Sequence, residues 1–313
     1  MADATLPIGS RDDLRIESSR CLRTRFSASS CHRCAEVCPH GTVNLDSGLA
    51  IDPERCRGCL LCTTVCPVGA LEQNSDFSTC PAQLSRVQEP VLGCIRTKER
   101  SNAVLPCLGG LSEEHLLALC HSLSGTLNIN LSACADCPNS PMIPHVRQRH
   151  AVLAEAGLLE GGCAVTLVES AAELRFCDEA VGRRGFFKSL RSSLFQSAAV
   201  IVSGSTEQGE HRTAYAEKRV PVRRELLNRV VERLSPVLEK RARSRFDHQI
   251  TFSADCTACQ GCVAICPTGA LQSDSHEEPP RFDSGHCTGC GLCIEFCLDG
   301  AARFNNPASI SVS

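Results

Sequence analysis

The middle of the chain, between about residues 86 and 176, shows the clearest pattern of apolar and polar positions. Residues 91–94 and 103–107 are short apolar runs, and each predicts a buried strand that ends in a cysteine. Residues 126–131 alternate between polar and apolar side chains, and residues 164–168 form a further apolar run. Both of these segments are therefore also predicted strands.

Helices are predicted between these strands. Ser112 is a suitable N-cap, and Glu113 and Glu114 follow it in the first turn, where the helix dipole favours acidic side chains. A second helix is predicted over about residues 142–156. Strands that alternate with helices in this way predict a small α/β layer with a mostly parallel sheet.

Two amphipathic helices are predicted in residues 177–245, a region without a ligand pattern. Each has one apolar stripe, formed by Phe186, Phe187, Leu190, Leu194 and Phe195 in the first and by Leu226, Leu227, Val230, Val231 and Leu234 in the second. Packing within the chain is the commoner role of such a stripe, and docking of a partner is the alternative. We interpret the region as a helical linker.

The cysteine content is high, since 24 of the 313 residues are cysteine. The first residues lack a basic segment followed by an apolar run, and no uncharged stretch reaches transmembrane length. We therefore expect a cytoplasmic protein without a transmembrane segment, in a reducing compartment where thiols can take metal. The net charge of -3 and the absence of Trp argue against nucleic-acid binding.

The cysteines of the C-terminal region form two runs with one spacing, in which three thiols are two residues apart and a fourth follows after three residues. These runs are Cys256, Cys259, Cys262 and Cys266, then Cys287, Cys290, Cys293 and Cys297. A zinc ribbon and a disulfide framework are the alternatives, but zinc sites usually pair two Cys-x-x-Cys turns across a longer spacer. Four-thiol runs of this spacing favour iron-sulfur clusters.

The N-terminal region repeats the arrangement with one irregularity. Its complete run is Cys56, Cys59, Cys62 and Cys66, whereas the preceding run contains only Cys31, Cys34 and Cys38. Cys21 is the nearest upstream candidate for the missing thiol. If Cys21 pointed elsewhere, that site would keep three thiolates and could hold a 3Fe-4S cluster.

A glycine stands three positions after the last cysteine of every run. These glycines are Gly41, Gly69, Gly269 and Gly300. Four copies of one supersecondary unit are indicated. We expect a turn with a positive φ at each glycine, because only glycine adopts that conformation without a steric cost.

Both ends of the chain resemble dicluster bacterial ferredoxin domains, over about residues 15–78 and 246–307. The resemblance implies four 4Fe-4S clusters, two in each domain, with the last cysteine of each run ligating the cluster of the other run. The implied ligand sets are Cys21, Cys31, Cys34 and Cys66 for site 1; Cys38, Cys56, Cys59 and Cys62 for site 2; Cys266, Cys287, Cys290 and Cys293 for site 3; and Cys256, Cys259, Cys262 and Cys297 for site 4.

Four further cysteines define a candidate central site. Cys94, Cys107, Cys134 and Cys137 lie at predicted strand ends, and parallel strands bring their carboxyl ends to one edge of a sheet. The segment is similar to the iron-sulfur delta subunit of methanogen hydrogenases, which implies a 2Fe-2S cluster; four thiols also suit a 4Fe-4S cluster. A zinc site and unligated buried thiols are the alternatives.

The remaining cysteines form no set by spacing. They are Cys80, Cys120, Cys163 and Cys177. Free cysteine is among the most buried residue types, so we expect about three of these four to be packing residues.

The sequence contains no glycine-rich nucleotide loop and no His-Glu-x-x-His motif, so we expect the catalytic step on another chain. The expected function is transfer of single electrons to or from a larger oxidoreductase, as its subunit or as an electron donor or acceptor protein. The two dicluster ends would be the termini of the path, and a central cluster would shorten the gap between them. The alternative is a maturation or assembly factor for a molybdoenzyme or a related redox enzyme.

The expected fold class is α+β, with two ferredoxin-like dicluster domains flanking a small α/β domain and a helical linker. The predicted domains are residues 1–80 for the N-terminal ferredoxin-like domain, 86–176 for the α/β domain, 177–245 for the linker and 246–313 for the C-terminal ferredoxin-like domain.

Overall fold

The computed structural model describes residues 13–75, 77–177, 218–275 and 277–304. Within these ranges the chain contains both helices and strands, in agreement with the α+β prediction. No helix in them is long and apolar enough to cross a lipid bilayer.

The N-terminal unit consists of short helices and two strand pairs. Its elements are β1 (Leu14–Ile16), α1 (Leu22–Arg25), α2 (Arg33–Glu36), β2 (Val43–Asn44), β3 (Ala50–Ile51), α3 (Leu61–Val65) and β4 (Leu71–Gln73). Strand β1 pairs with β4, and β2 pairs with β3, both antiparallel. The pairing of the first strand with the last holds the two ends of the unit together.

A parallel sheet forms the central unit, which helix α4 (Thr79–Leu84) connects to the N-terminal unit. The strands of the sheet are β5 (Val91–Cys94), β6 (Ala103–Leu105), β7 (Thr126–Asn130) and β8 (Ala164–Val168). Their order is β6-β5-β7-β8, and every neighbouring pair is parallel. All four strands lie where the sequence pattern predicts them.

Helices α5 (Glu113–Ser122) and α6 (Ile143–Glu155) connect the strands of the sheet. Ser112 is the N-cap of α5, as predicted, because its hydroxyl accepts a hydrogen bond from the backbone N–H of His115. The His115 ring accepts in return from the backbone N–H of Ser112 at 3.2 Å. This reciprocal pair satisfies two helix-terminal donors that would otherwise lack partners.

Two helices follow the central unit, α7 (Val222–Val231) and α8 (Pro236–Phe246). Leu227, Val230 and Val231 of the predicted stripe on α7 are buried, which confirms its role in packing within the chain. The other predicted stripe, beginning at Phe186, lies outside the described residues.

The C-terminal unit repeats the plan of the N-terminal one. Its elements are β9 (Ile250–Phe252), α9 (Gly261–Ile265), β10 (Leu271–Gln272), β11 (Arg281–Phe282), α10 (Leu292–Glu295) and β12 (Ala302–Phe304). Strand β9 pairs with β12, and β10 pairs with β11, both antiparallel. Helices α3 and α9 therefore occupy equivalent places in the two units.

One large hydrophobic core joins most of the chain. Buried side chains of the N-terminal unit, the central unit and α7 belong to it, as Leu61, Leu117 and Leu227 illustrate. A smaller cluster around Ile250 and Leu271 supports the C-terminal unit. Each fully buried leucine contributes about 1.5–3 kcal/mol through removal of its surface from water, so this shared core fixes the N-terminal unit against the central sheet.

The repeated glycines adopt the predicted conformation. The φ angles of Gly41, Gly69, Gly269 and Gly300 are 57°, 63°, 73° and 60°. Each glycine follows the last cysteine of a run, so the turn recurs at the same place in all four copies of the unit.

Candidate metal centres

Site 1 surrounds an apolar cavity in the N-terminal unit. Cys21, Cys31, Cys34 and Cys66 line it. Burial, together with charge on Cys66, Cys21 and Cys31, raises the pKa of the Cys34 thiol to about 12. The structure thus brings the irregular thiol, Cys21, together with the other three.

Helix starts and ends place these thiols. The carbonyl of Cys21 accepts hydrogen bonds from the N–H groups of Thr24 and Arg25, so this cysteine stands directly before α1. Cys34 lies on α2, and Cys66 ends α3, where its N–H bonds the carbonyl of Cys62 at 3.2 Å. The long spacing before Cys31 is therefore occupied by α1 and the turn that follows it.

Site 2 adjoins site 1. Burial raises the pKa of the Cys62 thiol, and charge on its set-mates Cys59, Cys56 and Cys38 and on Cys34 of site 1 raises it further. At Cys38 burial also raises the pKa, but hydrogen bonds from Thr42 outweigh it and lower the pKa. The Thr42 N–H donates to the Cys38 sulfur at 3.4 Å, and the hydroxyl oxygen lies 3.2 Å from the same sulfur.

Site 3 is the C-terminal counterpart of site 1. Cys266, Cys287, Cys290 and Cys293 line an apolar cavity, as the four thiols of site 1 do. Burial, together with charge on Cys266, raises the pKa of Cys290 to about 12 and that of Cys287 to about 11. Burial also raises the pKa of Cys293, and charge on Cys262 of site 4 contributes, so sites 3 and 4 adjoin.

Site 4 is the most accessible of the sets. Cys259 is exposed, and burial raises the pKa of Cys262 to about 11, with contributions from Cys259 and Cys256. The loop of Cys297 is held to the loop of Cys256 by a 2.8 Å hydrogen bond from the Thr257 hydroxyl to Asp299.

The central thiols converge at one edge of the parallel sheet. Burial, together with charge on Cys94 and Cys137, raises the pKa of Cys107 and of Cys134 to about 12. The Asn139 side-chain amide lies 3.9 Å from the sulfur of Cys107, and its backbone N–H donates to the sulfur of Cys137 at 3.5 Å. The structure therefore brings Cys94, Cys107, Cys134 and Cys137 close together at this edge of the sheet.

The central site also touches the N-terminal unit. The Asn139 amide donates to the carbonyl of Arg57 at 3.0 Å, inside the ligand loop of site 2. Charge on Cys59 acts on Cys107, and Gly109 lies so close to the carbonyl of Cys59 that a β-carbon there would collide with it. The central site therefore lies beside site 2 and not between the two ends of the chain, unlike the path expected from the sequence.

The ligand loops of the regular runs carry an unusual backbone. Leu60, Ala258 and Gln260 are the non-glycine residues with positive φ among the described residues, and all three lie between ligand cysteines. Left-handed conformations are costly for such side chains and persist only where the surroundings impose them. Alternating left-handed residues turn successive N–H groups toward one concavity that suits anionic sulfur.

The donor sets fit iron-sulfur clusters. Sites 1 and 3 each offer four thiols around an apolar cavity, and backbone donors near the ligands can bond sulfur. Within the described ranges, no three His, Cys, Asp or Glu side chains meet closely enough to hold a single metal ion.

Comparison with known families agrees at both ends. A family described as 4Fe-4S dicluster domain matches residues 250–298, and one described as 4Fe-4S binding domain matches residues 49–72. No curated protein and no solved structure matches the chain, and no relative supports the resemblance of the central unit to a hydrogenase delta subunit. The chain has ferredoxin-type 4Fe-4S domains near both ends, which point to an iron-sulfur electron-transfer protein.

The remaining cysteines behave largely as predicted. Cys80, Cys120 and Cys163 are buried, whereas Cys177 is exposed, so three of the four are packing residues.

Sequence reasoning missed the cations near the sites. Arg33, Lys218 and Arg223 each bond a carbonyl in or beside a ligand loop. Lys218 and Arg223 lie in the predicted linker, far along the chain from the carbonyls that they contact, and no spacing rule points to them. Arg33 is the one of these cations that the sequence could have indicated, because it stands between the ligand cysteines Cys31 and Cys34.

Proposed function

We propose that this protein carries four 4Fe-4S clusters at sites 1 to 4 and a fifth iron-sulfur centre at the central site, and relays single electrons to or from a larger redox enzyme. The proposed partner holds the catalytic site, and the proposed location is the cytoplasm. Each cluster would accept and release one electron with little change in geometry.

The observation that carries the proposal is a series of thiol sets that are linked from one to the next. Cys107 of the central site lies beside Cys59 of site 2, and Cys62 of site 2 lies beside Cys34 of site 1. Arg33, next to Cys34, donates to the carbonyl of Gly289 in the loop of site 3 at 3.4 Å. Sites 3 and 4 then adjoin within the C-terminal unit.

This series favours a role in electron transfer from site to site. Metal sites that merely stabilised two small domains would not need to adjoin across units. A path running from the central site through sites 2, 1 and 3 to site 4 has one end at the parallel sheet. Its other end is the exposed Cys259, where a partner could approach.

Iron and acid-labile sulfide per chain, measured on anaerobically purified protein, test the proposal together with EPR of the reduced form. About sixteen irons correspond to four cubanes, about eighteen to an additional 2Fe-2S centre and about twenty to a fifth cubane. A colourless, zinc-loaded preparation that supports its partner fully would overturn the proposal.

Copurification tests the redox partner. We expect a stoichiometric complex with an enzyme whose substrate reduces or oxidises the clusters. Binding restricted to an immature, cofactor-free enzyme would instead indicate a maturation factor and would contradict the proposed electron-transfer role.

A further inference from the structure

Residues 218–224 form a strap that crosses both ferredoxin-type units. At one end, the Lys218 ammonium donates to the carbonyls of Val263, Ala264 at 3.4 Å and Cys266 at 3.2 Å. These carbonyls terminate helix α9 in the C-terminal unit. Lys218 therefore caps the helix that leads into the last cysteine of its run.

The other end of the strap makes the same contact in the N-terminal unit. The Arg223 guanidinium donates to the carbonyl of Thr64 and, at 2.8 Å, to the carbonyl of Cys66. These carbonyls terminate helix α3, the equivalent of α9. Carbonyls at a helix end lack intrahelical partners and carry partial negative charge, so a cation is favoured at both places.

The strap is held along its length. The N–H of Arg219 donates to the carbonyl of Pro267 at 3.0 Å, and Arg20 donates to the carbonyl of Arg219 at 2.8 Å. The N–H of Val222 donates to the carboxylate of Glu72, a buried side chain, at 2.9 Å. The two cations are therefore placed by backbone contacts to both units and not by their own flexible side chains alone.

Arg224 completes the connection. It is buried, forms a 2.6 Å ion pair with Asp247, and donates to the carbonyls of Ser284 at 2.8 Å and Gly285 at 3.1 Å, just before Cys287. Adjacent residues of one segment thus hold Cys66 of site 1 and the turn before Cys287 of site 3.

The two capped cysteines belong to sites that face each other. Cys66 is assigned to site 1 and Cys266 to site 3, and these are the sites that Arg33 links. A positive charge near a cluster favours its reduced form, because reduction adds negative charge. Burial and donors to the ligands set the remaining part of the reduction potential.

We propose that Lys218 and Arg223 are positioning residues that fix site 3 against site 1 and raise the reduction potentials of these two sites. This inference rests on the proposed electron-transfer function. It adds that residues 218–224 hold sites 1 and 3 in place and adjust their reduction potentials for electron transfer between the two units.

The test uses the full chain, purified anaerobically, with Lys218→Met and Arg223→Met. Redox titration followed by EPR measures the potential of every site, and iron content measures occupancy. We expect Lys218→Met to lower the potential of site 3 most, with a smaller fall at site 4, because the Lys218 charge also acts on Cys262. Arg223→Met should lower the potential of site 1 most. Lys218→Arg and Arg223→Lys keep the charge and should retain wild-type potentials.

Matched controls are Lys240→Met and Arg229→Met, which remove exposed cations of α8 and α7. Neither should change a potential. Loss of iron confined to the site whose cysteine carbonyl lost its donor would support the positioning role.

Unchanged potentials in both methionine variants, with iron retained, would overturn the inference. So would iron loss from sites that the altered side chain does not contact. Absence of iron from the wild-type chain would instead contradict the proposed function, so the two failures are distinguishable.

Discussion

The ring of Phe26 meets the ring of Phe296 edge to face, with centroids 5.3 Å apart and planes inclined at 75°. Phe26 follows helix α1 of the N-terminal unit, and Phe296 stands directly before Cys297 of site 4. A 2.6 Å hydrogen bond from Ser30 to Glu295 lies beside the rings. The two ferredoxin-type units are therefore in direct contact, and electrons need not pass through the central unit to move between them.

Phe26→Ala should loosen this contact without removing a cluster. An edge-to-face aromatic pair contributes about 0.5–1.5 kcal/mol beyond its buried area, so the variant should exchange amide hydrogens faster in residues 26–33 and 289–296. Hydrogen exchange measured by mass spectrometry on the loaded protein checks this, with iron content expected to stay constant. Leu298→Ala is the control, because that side chain is fully exposed. Unchanged exchange in Phe26→Ala would show that the rings do not hold the units together.

Cys21→Ser should convert site 1 from a four-thiolate to a three-thiolate site. The Cys21 thiol faces the site 1 cavity with Cys31, Cys34 and Cys66, so its loss removes one ligand of one cluster. We expect the oxidised protein to gain a 3Fe-4S EPR signal and to lose about one iron per chain. Cys177→Ser changes an exposed thiol outside the sets and should alter neither measurement. A full complement of 4Fe-4S signals in Cys21→Ser would remove this cysteine from the ligand set.

Local features of this fold follow from local sequence. Strands β5 to β8, the Ser112 cap and the positive φ of Gly41 are set by side chains within a few positions, so spacing and periodicity predict them. The convergence of the central thiols follows from the parallel sheet, which the strand and helix alternation also predicts.

Long-range features do not follow in this way. Phe26 and Phe296 meet across most of the chain, and nothing in the spacing of either residue specifies its partner. The spacing of Arg223 and Cys66 likewise does not specify that they are in contact. Because such long-range contacts cannot be predicted from spacing, the sequence predicts the central site between the two ends, whereas the structure places it beside site 2. Leu60 adopts a left-handed conformation that its type disfavours, so the cluster loop overrides propensity there.

Cys134→Ala should remove the central centre and leave sites 1 to 4 intact. Cys134 lies with Cys94, Cys107 and Cys137, so the effect should be confined to one centre. We expect a loss of about two irons for a 2Fe-2S centre or about four for a cubane, with the remaining EPR signals unchanged. Zinc in the wild-type protein that disappears in this variant would identify the central site as a zinc site. Unchanged metal content would show that these thiols bind no metal.

Acid should weaken cluster retention, because the ligand thiols must lose their protons to bind metal. Burial raises the pKa of Cys34, Cys107, Cys134 and Cys290 to about 12, so in the metal-free folded chain these groups are protonated at neutral pH. A metal binds the thiolate, so loading displaces protons and a lower pH shifts the balance toward release. In the metal-free chain, the raised pKa values affect the stability of the fold itself. The stability that they contribute is fully present below the ordinary thiol pKa, and it is lost as the pH rises through the pKa of the folded chain.

Cluster release to an iron chelator measures this dependence directly. Release should be faster at about pH 6 than at about pH 8, because protons compete with iron for the thiolates. Free ferrous iron titrated with the same chelator at both pH values corrects for protonation of the chelator itself. A corrected rate that does not change with pH would mean that the thiols are held ionised in the folded chain, against the effect of their burial.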